Sequence, residues 1–310
     1  LAPRGREPAA QIVLDSKRGV TVSANNNMTW NVPGAPTIND STGSPSTGLI
    51  GNSSLIVEGI IAGASNGSLA FTKSGLGTLT LRGRNTVNLG TLALDFVSSA
   101  AGDPIFVNTM TMQIGSATNG AGALALIGKN AQTNSQVFGN LILQARDNVI
   151  NIDSNGGTVN VTFGTITNTV GGTVAISPAA SGVFVVASGN TTSTGGLLVD
   201  AGNSAYAIVG GTDWAAKDGS SLLVGGSAIG GFYTANGATS LAAASNADMT
   251  SNAILSAGVS VASLRFNANS ALTLDLGANT LVTGGILMGT GTLANNQLIS
   301  NGTLQGTNTR

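Results

Sequence analysis

The chain has 310 residues, of which 8% are charged and 42% hydrophobic, and its formal net charge is -1. Its 12 basic residues form no concentrated patch, which argues against nucleic acid or an anionic membrane surface as a partner. The chain contains neither Cys nor His, so disulfides, the usual zinc ligands and the commonest proton-transfer side chain are excluded. We therefore expect no metal, no cofactor and no enzymatic activity.

The first residues, 1–20, predict an extended N-terminal arm. Pro3 and Pro8 favour extended backbone, and basic residues flank the β-prone stretch Ile12-Val13-Leu14. The segment lacks the apolar core of a signal peptide, and we interpret such a signal as already removed. No apolar run reaches the ~18 residues that a spanning helix needs. These features predict a secreted, extracellular or cell-surface protein without membrane insertion.

From residue 21 onward, short segments place apolar residues at alternate positions, separated by Gly, Asn and Ser. This period of two indicates half-buried strands joined by tight turns. Successive segments lie ~10 to 20 residues apart, which favours a solenoid with loops of variable length. We predict an all-β fold, a single right-handed β-solenoid over residues 21–310, with a β-sandwich as the alternative. The clearest pairs or triplets are Leu69/Phe71, Leu79/Leu81, Leu92/Leu94, Leu124/Leu126, Leu141/Leu143, Ile150/Ile152, Val159/Val161/Phe163, Val174/Ile176, Leu264/Phe266 and Leu272/Leu274/Leu276.

The sequence near Phe71 resembles a known bacterial repeat. Phe71-Thr72-Lys73-Ser74-Gly75-Leu76-Gly77-Thr78-Leu79-Thr80-Leu81 is similar to the autotransporter-associated β-strand repeat, a lysine-x-glycine-x-glycine-threonine-leucine-threonine-leucine run. A looser likeness runs from Ser263 to Leu287. The resemblance implies export and a right-handed β-helix passenger, and it brings no catalytic residues. Nothing after Gly284 resembles the membrane barrel of a complete autotransporter.

A departure from the repeat is predicted at about 205–250, where Trp214, Phe232 and Tyr233 concentrate the aromatic residues. We expect a loop-rich insertion. Trp214 and Tyr233 are candidates for glycan binding, with Asp213, Lys217 and Asp218 beside them. The competing interpretation, which we favour, is solvated loop residues around one packed tryptophan.

The strand pattern continues through Leu298 and Ile299 to Leu304, and no polar cap is evident. An uncapped solenoid end is a template for another strand. We therefore expect an extracellular structural protein that polymerises with itself, end to end, into a filament, surface layer or biofilm fibre. Ile12, Val13 and Leu14 would supply the added strand, and Leu298, Ile299 and Leu304 the receiving edge.

Two other function classes remain open. A monomeric adhesin would bind glycans, such as surface polysaccharide, through its side face. A carbohydrate-active β-helix enzyme is a weaker alternative because carboxylates are sparse. Asn-x-Ser/Thr triplets, many of them expected by chance in so Asn-rich a chain, mark possible glycosylation at Asn27, Asn39, Asn52, Asn66, Asn160, Asn190 and Asn301.

Overall fold

The computed structural model describes residues 20–22, 27–31, 54–57, 61–63, 69–74, 78–81, 85–87, 90–97, 106–107, 111–115, 121–178, 182–289 and 295–307. The side chains it describes begin at Leu94. The described residues form strands and turns, with two single-turn 3-10 segments at Thr194–Gly196 and Gly226–Ala228. The expectation of an all-β chain with almost no helix is confirmed. The predicted arm lies outside the described residues up to residue 19.

The first part of the chain is a β-solenoid in which each strand stacks in parallel on the strand three positions earlier in the chain. We call the part from β1 to β18 the first solenoid. Its strands are β1 Val20–Val22, β2 Asn27–Asn31, β3 Ser54–Val57, β4 Ile61–Gly63, β5 Leu69–Ser74, β6 Thr78–Leu81, β7 Asn85–Val87, β8 Gly90–Asp95, β9 Phe106–Val107, β10 Met112–Ile114, β11 Gly122–Ile127, β12 Thr133–Val137, β13 Leu141–Leu143, β14 Arg146–Asp153, β15 Thr158–Phe163, β16 Ile166–Asn168, β17 Gly172–Pro178 and β18 Val183–Ala187.

Three stacks follow from this arrangement. One sheet has the order β1-β4-β7-β10-β13-β16, and a second has β2-β5-β8-β11-β14-β17. The third side carries β3-β6-β9 and β12-β15-β18. All these pairings are parallel. The β-sandwich alternative is wrong, because a sandwich pairs its strands in antiparallel sheets.

Alternation decides which side chains fill the interior. In β15, Val159, Val161 and Phe163 are fully buried while the residues between them are half-buried. Phe163 stacks on Phe138 of the preceding coil, with ring centroids 5.2 Å apart. Each coil thus places its apolar residues on those of the next, as the alternating sequence predicted.

The segment between the solenoids, which we call the junction (residues 190–232), departs from parallel stacking. β19 (Ala207–Val209) still lies parallel on β17, but β20 (Asp213–Lys217) and β21 (Leu223–Gly225) continue the sheet in antiparallel fashion. Residues Leu198, Tyr206, Ala215 and Leu223 belong to the same buried cluster as the core of the first solenoid. The junction therefore covers the C-terminal end of that core.

The remaining strands build a second, shorter solenoid with its own core. They are β22 Tyr233–Ala235, β23 Asn246–Met249, β24 Ala253–Ile254, β25 Val259–Val261, β26 Ser263–Phe266, β27 Thr273–Asp275, β28 Thr280–Thr283, β29 Ile286–Met288, β30 Leu298–Ser300 and β31 Thr303–Gly306. Its parallel sheets have the orders β22-β23-β26-β29, β24-β27-β30 and β25-β28-β31. Leu264, Phe266, Leu274 and Leu281 are buried in its interior.

The second solenoid packs against the junction, which covers the end of the first solenoid. The N–H of Ala205, in the junction, donates to the carbonyl of Gly284, in the second solenoid, at 2.9 Å. Gly284 lies between the carbonyl oxygens of Asn203 and Ala262, with no room for a side chain. The last coil of the second solenoid is therefore anchored beside the end of the first.

Candidate self-association site

The second solenoid ends on three strands that have a neighbour on one side only. β29, β30 and β31 are the last members of their sheets, and no described strand pairs with their outer sides. We call these three outer sides the free edge. An unpaired row of backbone N–H and C=O groups is a template for another strand.

The hydrogen-bond pattern shows which residues present these groups. In a parallel ladder, alternate residues bond to opposite neighbours. In β29, the Gly285 C=O accepts from Leu264 and the Gly289 N–H donates to Phe266, so the backbone groups of Ile286 face outward.

The same alternation applies to the other two strands. The Leu298 N–H donates to the Leu272 C=O and the Thr303 N–H donates to the Asn279 C=O, both toward the preceding coil. The backbones of Ile299 and Leu304 therefore face outward. Within the part of the chain that the structure describes, no strand pairs with these outward N–H and C=O groups.

Side chains at the free edge continue the core columns. Ile286 is in register with Leu264, Ile299 with Leu274 and Leu304 with Leu281. The inner members of these pairs are fully buried, whereas Ile286 is 39% and Leu304 is 47% exposed. The end of this core is thus apolar and open.

The structure places the predicted receiving residues on this edge with one difference. Ile299 and Leu304 end core columns, but Leu298 is in register with Thr273, which is not a core position, and is 52% exposed. Ile286 is an edge residue that sequence reasoning missed. Ile12, Val13 and Leu14 lie outside the described residues.

A groove of about 400 Å³ lies beside β29. Its floor is the outward face of the sheet of the first solenoid, where Val149 of β14, Ala175 of β17 and Ile208 of β19 are half-buried. Ile286 and Leu287 of β29 form a wall. The groove is lined mainly by apolar atoms, and one side of it is the edge of a strand.

A buried ionic cluster holds the second solenoid to the junction. The Arg265 guanidinium makes a two-pronged contact with Asp248, with Nε–Oδ1 at 2.9 Å and Nη2–Oδ2 at 2.8 Å. Its Nη1 donates to Asp213 Oδ1 at 3.1 Å and to Ser227 Oγ at 2.9 Å. The guanidinium carbon lies 3.5 Å from the centre of the Tyr233 ring. These contacts satisfy a charge that would otherwise be costly to bury.

Burial and charge set the protonation of this cluster. Burial raises the pKa of Tyr233, and its hydrogen bond to Asp213 Oδ1 at 2.5 Å raises it further. Burial acts to lower the pKa of Arg265, but the hydrogen bond with Asp248 and nearby negative charge outweigh it, so that pKa is raised. The guanidinium therefore stays charged, and its contacts with both elements suit it to hold them together.

The structure does not present Trp214 as a glycan platform. Its indole is 5% exposed and packs with Phe232 and Leu287 in the cluster between junction and second solenoid. Tyr233 has Arg265 over one ring face and Phe232 edge-on at 4.7 Å. The Trp214 ring is therefore not free to stack on a sugar, and one face of the Tyr233 ring is covered.

The polar residues beside Trp214 have separate structural contacts. Asp213 joins the ionic cluster, and Lys217 Nζ donates to the Ser188 carbonyl at 3.1 Å. Asp218 Oδ1 accepts from the backbone N–H groups of Ser220 and Leu222 and so closes a turn. These three side chains do not converge on one groove.

The amide of Asn190 replaces a strand at the end of the sheet that finishes with β16. Its Oδ1 accepts from the Ile166 N–H at 2.9 Å, and its Nδ2 donates to the Ile166 C=O at 2.6 Å. Nδ2 also donates to the Tyr206 hydroxyl, which donates to the same carbonyl. Burial raises the pKa of Tyr206, which keeps this hydroxyl protonated.

The same contacts correct one of the predicted glycosylation sites. Asn190 is 7% exposed and its nitrogen is occupied, so it has no room for a glycan in this fold. Asn160 is half-buried and Asn301 is exposed. The side chains of the other candidates lie outside the described residues; these are Asn27, Asn39, Asn52 and Asn66.

Among the residues that the structure describes, no three acidic side chains come together as metal ligands. The described ranges also include no helix long and apolar enough to cross a membrane. Comparisons with models of protein families, with curated proteins and with solved structures found no match. The likeness of residues 71–81 to the autotransporter-associated repeat accordingly stays a prediction.

Proposed function

We propose that this protein is an extracellular structural β-solenoid that assembles end to end into a filament or matrix fibre by strand addition. The acceptor is the free edge of β29, β30 and β31. The donor is the predicted arm, with Ile12, Val13 and Leu14 as its strand. Neither catalysis nor a cofactor has a part in this function.

The observation that carries the proposal is the difference between the two solenoid ends. The core of the first solenoid is closed by the junction, where Tyr206 and Leu223 are buried over it. In the second solenoid, Leu304 remains 47% exposed above the fully buried Leu281. Fully burying a leucine stabilises by about 1.5–3 kcal/mol, so covering several such residues favours association.

The parallel pairing of the edge strands also gives the assembly a direction. Parallel pairing along a solenoid fixes which side of a strand is added to, so copies would join head to tail. Such a contact between unlike surfaces generates an open polymer instead of a closed dimer. This geometry matches a fibre better than a compact oligomer.

The test is electron microscopy in negative stain, with light scattering, over a range of protein concentrations. We expect the full chain to form regular filaments, and a variant lacking residues 1–14 to remain monomeric with an unchanged circular dichroism spectrum. Polymers that persist in the variant would refute the arm as donor. Isolated rods of the full chain at every concentration would refute polymerisation and favour the monomeric adhesin.

A further inference from the structure

We propose that the groove beside β29 receives residues 11–14 of a second copy as an additional strand, parallel to β29. This inference rests on the proposed function and deepens it, because it selects one of the three strands of the free edge. The groove has a strand edge on one side and the outer face of another sheet as its floor. A segment bound there could form backbone hydrogen bonds with β29 and bury its apolar side chains against the sheet below.

One residue of the chain already occupies the first position of the proposed additional strand beside β29. Ala205 occupies the position next to Gly284, where its N–H donates to the outward carbonyl at 2.9 Å. It then turns away, since residues 207–209 stack on β17. Among the described residues, none pairs with the outward backbone groups of Ile286, which can bond to another segment.

A strand in this groove needs apolar side chains on both faces. One face would cover Ile286 at the open end of the second core, and the other would lie on Val149 and Ala175 of the first solenoid. Strands buried on both faces have continuous aliphatic sequences instead of alternating ones. Ile12-Val13-Leu14 is such a sequence, and it is the only run of three Ile, Val or Leu residues outside the ranges that the structure describes.

Charge favours the same segment. Asp147 is exposed at the rim of the groove, where its Oδ1 accepts a hydrogen bond from the Thr173 hydroxyl at 2.7 Å. Lys17 and Arg18 lie three and four residues after Leu14, beyond Asp15 and Ser16, so two cations outnumber the one intervening acid. Their positive charge complements this rim.

Distance indicates that the segment comes from a second copy. Leu14 is followed after six residues by Val20 in the first coil, and six residues span at most about 20 Å. The groove lies against the fifth and sixth strands of the second sheet, so the rise from the first coil to the fifth is already about 19 Å. The six residues therefore have almost no length left to run from the sheet that contains β1 to the outer face of the sheet that contains β14 and β17.

Disulfide cross-linking tests the placement, because the chain has no cysteine of its own. A Val13→Cys copy is mixed with an Ala175→Cys copy under mild oxidation, and the product is mapped by mass spectrometry. The control pairs Val13→Cys with Val170→Cys, since Val170 is 72% exposed and outside the groove. We expect the groove pair to form at least about tenfold faster, because docking raises the local concentration.

Equal rates for the groove pair and the control would overturn the inference. So would a disulfide that forms only within one chain when Val13→Cys and Ala175→Cys are combined in a single copy at high dilution. Light scattering of the unaltered chain separates this result from the proposed function. Filaments without selective cross-linking would overturn the groove alone, whereas selective cross-linking without filaments would uphold the groove and refute polymerisation.

Discussion

The contact at Gly284 gives a direct test of how the two solenoids are joined. In Gly284→Ala, the added Cβ would lie 2.5 Å from the Asn203 carbonyl oxygen and closer still to that of Ala262. Real Cβ atoms essentially never approach within 3.0 Å, so at least one backbone segment must move by 0.5 Å or more. Overpacking of this kind costs about 1–3 kcal/mol.

The same movement weakens a hydrogen bond. The Ala205 N–H donates to the Gly284 carbonyl, and its loss adds about 0.5–1.5 kcal/mol. The free energy of unfolding should therefore fall by roughly 2–4 kcal/mol. For a chain of this size that corresponds to a melting temperature lower by roughly 5–10 °C.

Differential scanning calorimetry measures this change, and Gly219→Ala is a matched control. A Cβ on Gly219 meets no atom within 4 Å, so the substitution should leave stability unchanged or raise it by about 0.4–1 kcal/mol. A Gly284→Ala protein that melts with the unaltered chain would refute the close contact between the junction and the second solenoid.

Three further predictions follow from the open edge, the buried tyrosines and the ionic cluster. Leu304→Lys should abolish polymers in negative stain while the chain stays folded, whereas Leu281→Lys, in the buried position of the same column, should unfold it. Tyr206 and Tyr233 have raised pKa values and are the only tyrosines, so absorbance at 295 nm should show no tyrosinate until the protein unfolds. Because the folded state holds these protons, stability should fall as pH rises above about 10, and tyrosinate appearing there in a folded chain would contradict the buried hydroxyls. Arg265→Met leaves two carboxylates without their partner and should cost about 3–5 kcal/mol in urea unfolding; a loss below 1 kcal/mol would contradict the tight ion pair.

Strand alternation made the solenoid predictable, because inward and outward positions differ in composition. Leu124 and Leu126, predicted as a pair, are both buried. Leu298 shows the limit of this reasoning. Leu298 and Ile299 are adjacent, and only the register with Leu274 shows that Ile299 continues the core.

The junction could not be predicted because its contacts depend on the path of the whole chain. Arg265 is the one charged residue in β26, and that isolated charge was a signal of a special contact. Its partner Asp213 lies 52 residues away, and no local pattern relates the two. The aromatic cluster at Trp214 was evident in the sequence, but its burial against Leu287 was not.

The contact between Ala205 and the last coil changes how this repeat protein should unfold. In an ordinary solenoid each coil touches only its neighbours, and terminal coils fray independently. Here the C-terminal coil is also bound to residues near the end of the first solenoid, about 80 positions earlier in the chain. Amide hydrogen exchange of the inward-bonded N–H groups in residues 281–288 should therefore be as slow as in the junction, while the outward N–H of Ile286 should exchange fast, so that the strand offered to a neighbour is rigid although its outer edge is exposed.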